Sequence, residues 1–313
     1  MNKNYTFKVN QEPLNSAQFN VFTNFLLKIK SEKKHKLLFR GENIENLKNK
    51  LNIQHHQNTI SRLNYFTFEI GEKGRVYQKE FDMSLTEKNR FSIQDTSEKV
   101  FNYIFRKINN IIKNSTNSEV LEFIVQNEFF INYFKEKSNK ENFLLIIKQM
   151  KTNNERIKVK DYYLSFLHKI GRMGIHENSY FLSTSTLIDI AKKFSGVKDI
   201  IFVSWTTANY NIKYLLRKYE LPVIEKNIYQ YQREMSIKGA LFPQDILGFI
   251  ERSTNTFNIN PNLFLYPNLI DFMILHGIPI DQSKFKEILD ETNHSAFVSR
   301  NNNNEFIDNI KNL

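Results

Sequence analysis

The 313-residue chain has no cysteine. This excludes disulfide staples, thiolate zinc sites and cysteine nucleophiles together, and it suits a reducing compartment. The cytosol is therefore the expected location, with a secreted or injected effector as the variant of that reading. Glycine is scarce, with nine residues, and no glycine-rich phosphate loop occurs, so a nucleotide kinase has no support. No apolar run approaches the roughly 18 residues that a membrane span needs, and Met1-Asn2-Lys3-Asn4-Tyr5 leads into polar sequence without a signal-peptide core. A soluble protein with no membrane partner is expected. Acidic residues are outnumbered, 33 against 44 lysines and arginines, for a formal charge of +11. That balance favours a polyanionic partner, nucleic acid or an acidic surface, although an Asn-, Lys- and Ile-rich composition gives the same excess without one.

What is present is a chain with 41% hydrophobic residues, enough for a real core. Residues 1–35 read as a lead-in with one amphipathic helix, because Phe19, Val21, Phe22, Phe25, Leu26 and Ile29 recur at helical spacing. Lys33-Lys34-His35-Lys36 reads as a solvated basic edge. Leu37-Leu38-Phe39-Arg40-Gly41 is a short buried strand, 43–51 a helix, and Leu63–Ile70 an alternating strand. His55-His56 lacks further ligands at metal spacing and reads as loop. From about 84 to 154 the pattern is helical, with breaks at 114–118 and 138–140 and therefore three helices. A short helix over 161–169 and a turn over 171–176 follow. Phe181 then leads a strand into the hydroxyls of Ser183, Thr184 and Ser185, and 186–194 forms a helix ended by Gly196. Ile200-Ile201-Phe202-Val203 is the clearest strand, continuous enough to be buried on both faces. After a helix over 209–219 and a tyrosine-rich loop comes Tyr231-Gln232-Arg233-Glu234. On an extended segment Gln232 and Glu234 point to one face and offer an amide and a carboxylate to one cavity. Pro243-Gln244-Asp245 turns the chain into a strand over 246–250 expected to pair with the segment carrying Glu234. Loop and then helices, 267–275 and 282–290, complete the chain, with 301–304 as a frayed end.

Arg40, then Ser183-Thr184-Ser185, then Gln232-x-Glu234, in that order, resemble the arginine-serine-glutamate class of ADP-ribosyltransferases. Phe39-Arg40-Gly41-Glu42 is also similar to the motif of the FRG-type families. The likeness covers roughly 36–82 and 160–252. It implies an α+β fold, the split β-sandwich of ADP-ribosyltransferases, over 36–252, with a helical insertion at about 84–160 and a helical extension over 253–313. It further implies NAD as substrate and no metal.

On that resemblance Arg40 holds the NAD phosphates or nearby ribose, Gly41 leaves room for the dinucleotide, and Ser183, with Thr184 and Ser185, fixes the catalytic strand. Glu234 accepts a hydrogen bond from the nicotinamide ribose. Arg62, Arg75 or Arg172 are the alternatives to Arg40. Gln232 stands where relatives that modify asparagine or nucleobases carry Gln, a neutral amide being suited to orient an amide or base nitrogen. Tyr229 and Tyr231 are candidates to stack on a base. The expected protein is a mono-ADP-ribosyltransferase toxin acting on RNA or DNA, with an antitoxin or inhibitor protein as partner. A protein asparagine or glutamine acceptor is the alternative. The reading from another class is a non-catalytic basic nucleic-acid-binding protein.

Overall fold

The computed structural model describes residues 5–32, 35–51, 59–70, 93–170, 181–196, 199–207, 212–238 and 241–279. The fold is α+β. Two compact units divide the chain, one comprising Met1–Lys79, Leu182–Ala208 and Gln232–Leu313, the other Glu80–Phe181 and Asn209–Tyr231.

The first unit is built on a sheet. Among the described residues its strands are β1 (Thr6–Val9), β2 (Glu12–Pro13), β3 (His35–Glu42), β4 (Phe181–Ser185), β5 (Ile200–Thr207), β6 (Glu234–Lys238), β7 (Ile246–Glu251) and β8 (Thr256–Ile259). They form one hydrogen-bonded sheet in the order β2-β1-β8-β7-β5-β3-β4-β6. β5 is its centre, buried on both faces from Ile200 to Thr206 as its apolar run predicts. It pairs antiparallel with β3 over eight residues, from His35 opposite Thr207 to Glu42 opposite Ile200. Side chains alternate between two cores: Leu37, Phe39, Ile201, Val203 and Trp205 on one face, Leu38, Ile200 and Phe202 on the other.

Helix α1 (Ser16–Ser31) covers the first core. Asn15 caps it reciprocally with Gln18, each side chain accepting from the other's backbone N–H at 2.9 and 3.1 Å. Phe22, Phe25, Leu26 and Ile29 face inward, and Phe25 meets Trp205 edge-on at 5.1 Å. Each such side chain contributes about 1.5–3 kcal/mol by leaving water.

Several expectations change here. The lead-in supplies β1 and β2, with β1 parallel to β8. His35 and Lys36 are buried within β3 and are not a solvated edge; burial pushes the Lys36 ammonium pKa down. Leu63–Ile70 is no strand. It lies in α3 (Thr59–Tyr65) and a π-helical turn, Phe66–Ile70, because Leu63, Phe66, Thr67 and Phe68 are buried at helical spacing with no alternation. The stretch after 253, taken as loop, contains β8. β7 pairs with β5 and β8 instead of β6, since β5, β3 and β4 lie between β6 and β7. Helix α2 (Ile44–Leu51) matches its expected span. The residues 55–56, 171–176, 282–290 and 301–304 lie outside the described residues.

The second unit is helical: α4 (Ile93–Asn114), α5 (Ser118–Gln126), α6 (Glu128–Lys135), α7 (Asn139–Gln149), α8 (Asn153–Ile170) and α10 (Ile212–Lys218), with α9 reserved for Ile188–Phe194 of the sheet unit. Phe101, Phe134, Phe143 and Tyr163 form its centre, with neighbouring rings 5.3–5.7 Å apart. The three expected helices are more numerous because Asn127 breaks the run from Val120 to Phe134. Its buried amide donates to the carbonyls of Phe123 and Lys226, and its oxygen accepts from the N–H groups of Glu225 and Lys226. That requirement comes from a segment about a hundred residues away, so local periodicity does not carry it.

Candidate active site

β3 and β4 meet antiparallel at Phe39 opposite Ser185, next to Arg40. The Arg40 guanidinium donates to the Ser183 carbonyl at 2.8 Å and forms an ion pair with Glu42. Both charged side chains are largely enclosed, with 19% and 9% of their surface exposed. The Ser183 hydroxyl donates to Glu234 Oε1 at 3.1 Å, and the fully buried Ser236 hydroxyl donates to the same oxygen at 3.1 Å. Arg40, Ser183 and Glu234, 194 residues apart at the extremes of the sequence pattern (234 − 40), are thus joined in one hydrogen-bonded chain.

The other two hydroxyls of the Ser-Thr-Ser stretch stitch β4 to β6 through the backbone. Thr184 donates to the Met235 carbonyl at 2.6 Å. Ser185 donates to the Gln232 carbonyl at 2.7 Å and accepts from Leu187 N–H at 3.0 Å, just ahead of α9. The Thr186 N–H reaches the Arg233 carbonyl at 3.3 Å. These bonds hold the approach to β6 in a sharp turn. Gln232 ends a 3-10 turn, Arg233 has φ 47°, and the strand starts only at Glu234. The same-face argument for Gln232 and Glu234 is therefore corrected: the intervening residue is left-handed, and the two are not neighbours along one extended face. A left-handed non-glycine residue costs on the order of 1 kcal/mol or more, and the Ser-Thr-Ser contacts hold it.

Gly41 has a packing reason to be glycine. A Cβ there would lie 2.1 Å from the Ala191 carbonyl oxygen of α9 (Ile188–Phe194), so the missing side chain admits the helix backbone. Tyr229 and Tyr231 belong to the helical unit, where their rings stand edge to face at 6.4 Å and Tyr231 is exposed. Arg62 lies on α3 with its guanidinium 4.8 Å over the Phe66 ring, while Arg75 and Arg172 lie outside the described residues. Arg252 serves the fold, donating to the Lys192, Ser195 and Gly196 carbonyls at the end of α9.

Two members of the site have no role in the sequence reading, Glu42, which appears there only within the Phe-Arg-Gly motif, and Ser236. Each stands two residues beyond a candidate, Arg40 and Glu234, on a strand, so the period-two rule was the signal that could have found them.

The molecule is thus an α+β protein whose described sheet carries a hydroxyl-supported carboxylate on the terminal strand β6. Comparison of the chain with protein-family models, with curated proteins and with solved structures gives no match. Among the described residues no group of three or more His, Asp or Glu is placed to hold a metal ion, and no helix is long and apolar enough to cross a membrane.

Proposed function

We propose that the protein is an NAD-dependent mono-ADP-ribosyltransferase that transfers ADP-ribose to a base of RNA or DNA and releases nicotinamide. The observation that carries this reading is the chain from the Arg40 guanidinium to the Ser183 carbonyl and from the Ser183 hydroxyl to Glu234 Oε1. In the reaction the bond between the ribose C1′ and the nicotinamide nitrogen breaks, an acceptor nitrogen bonds to C1′, and the acceptor releases a proton. Positive charge builds on the ribose as nicotinamide leaves. The Glu234 carboxylate accepts a hydrogen bond from the ribose 2′-hydroxyl and stabilises that charge, and two hydroxyls fix the carboxylate in advance, so little reorganisation is left for the transition state.

On this reading the sheet works as the split β-sandwich of ADP-ribosyltransferases, with its two halves meeting where β3 passes to β4. Ser183, Thr184 and Ser185 hold β6 and the turn before it. Arg40 contacts the dinucleotide's phosphates, and Gln232 is assigned to the acceptor. The chain's charge of +11 favours the nucleic-acid acceptor. An unregulated enzyme of this kind would arrest its own cell, which fits a cytosolic toxin paired with an antitoxin.

The test is incubation with labelled NAD and, in parallel, total RNA, single-stranded and duplex DNA, and cell protein, beside Glu234→Ala. Label on nucleic acid that the variant loses is the expected result. Label on protein alone replaces the acceptor, and no label with nicotinamide release at background overturns the reading.

A further inference from the structure

We infer that Glu42 sets the affinity of this site for anionic ligands, by holding on Arg40 the place that a ligand phosphate would take. The inference rests on the reading that Arg40 receives the phosphates of the substrate, and it assigns to Glu42 a role that neither the motif nor its spacing supplies.

The argument begins with β3. Arg40 and Glu42 are two residues apart on an extended strand and point to one face, where they form an ion pair. The backbone at both positions is fixed by pairing with Phe202 and Ile200 of β5. Immediately after Glu42, Asp199 accepts from the Ile44 N–H at 3.1 Å, so the strand end is held as well. Glu42 therefore behaves as a tethered anion at high effective concentration next to the guanidinium. Its side chain is only 9% exposed, so a carboxylate that leaves Arg40 does not gain full hydration in exchange.

The charge inventory points the same way. Among the described residues of this hydrogen-bonded group, Arg40 is one positive charge, and Glu42 and Glu234, the latter joined to it through Ser183, are two negative ones. A diphosphate adds further negative charge beside two carboxylates. The Ser183 carbonyl is a neutral acceptor and competes little with a phosphate, whereas Glu42 competes as a full charge. A phosphate that takes the Arg40 Nη2 position held by Glu42 makes that bond loosen, and the strength of the bond is subtracted from the affinity. The chemical class the site takes is a diphosphate or other compact polyanion able to outbid one carboxylate, and singly charged anions are turned away.

The test uses the full chain and calorimetric titration with inorganic pyrophosphate, with ADP-ribose and with acetate as the singly charged probe. Glu42→Gln retains an oxygen that can accept from the guanidinium and removes the charge. It is expected to bind pyrophosphate and ADP-ribose about tenfold more tightly than the native chain, on the scale of one screened charge at close range. Glu42→Asp retains the charge and is expected to stay near the native affinity. Arg40→Gln added to Glu42→Gln removes the gain. If transferase activity is present, Glu42→Gln lowers KM for NAD. Unchanged pyrophosphate affinity in Glu42→Gln, a gain that survives Arg40→Gln, or no pyrophosphate binding by any variant overturns the inference. A thermal melt of each variant identifies any that has not folded. Anion binding is read without turnover, so failure of the transferase reading and failure of this one are distinguishable.

Discussion

Buried polar groups serve different ends in the two units. In the helical unit Tyr162, Tyr163 and Asn127 bond to backbone. Tyr163 donates to the Pro222 carbonyl at 2.8 Å, Tyr162 accepts from the Ile224 N–H at 2.7 Å, and all four bonds of Asn127 reach main-chain groups. Such bonds fix the path of the 222–226 segment and leave no ionisable group as their end point. Around β4 and β6, Thr184 and Ser185 do the same kind of work, but Ser183 and Ser236 converge on one carboxylate oxygen. A hydroxyl aimed at a main-chain carbonyl secures a fold. Two hydroxyls aimed at a carboxylate fix an ionisable group in place. The difference separates a structural polar network from a candidate catalytic one without reference to any motif.

The comparison can be broken first by alkali. Burial raises the Tyr162 and Tyr163 pKa values above the ordinary tyrosine range. A raised folded-state value means that the native unit keeps its phenolic protons when the unfolded chain gives them up, so this stability is full below about pH 10 and is lost as pH rises above it. At about pH 11.5 Tyr162 alone should have cost the native state about 2 kcal/mol, and Tyr163 adds to that loss. Phenolate absorbance followed with far-ultraviolet circular dichroism should show these tyrosines ionising together with unfolding. Ionisation without loss of helix contradicts the burial argument.

Asn127→Ala comes next in size. It leaves the N–H groups of Glu225 and Lys226 without the acceptor they share, and the cost should be about 2–3 kcal/mol in a urea titration. Ser236→Ala is the smallest and sharpens the contrast. With one hydroxyl removed from Glu234 and Ser183 retained, the expected loss is about 1 kcal/mol, about fivefold in the rate of nicotinamide release. KM should change little, and Ser236→Thr should restore part of the rate. If Ser236→Ala lowers stability but leaves the rate untouched, the hydroxyl belongs with the structural set.

How much of this was legible depended on whether the signal was local. Ile200-Ile201-Phe202-Val203 announced the central strand because a strand buried on both faces needs an unbroken apolar run. Phe22, Phe25, Leu26 and Ile29 announced α1 because one face of a helix repeats at three and four residues. The order Arg40, Ser183, Glu234 was readable from its resemblance, and these are the residues the fold joins. What stayed hidden depends on distant partners. β1 and β8 have four residues each and β2 has two, too short for alternation to show, and the first two gain order from parallel pairing across the whole chain. The break at Asn127 answers to 225–226. Glu234 was expected beside β7, yet pairing order follows the whole sheet and not the nearest turn. The bend at Arg233 lies in a backbone angle that Ser185 and Thr186 hold from outside the local segment.

The central claim is that the hydroxyl-held carboxylate of Glu234 performs chemistry. It is tested most directly by measuring nicotinamide release from NAD by the native chain and by Glu234→Gln, with NAD binding measured in parallel. Glu234→Gln keeps the size of the side chain and removes its charge, so release should fall by roughly a thousandfold or more while NAD affinity changes by less than about threefold. Equal rates in the two proteins would contradict the account.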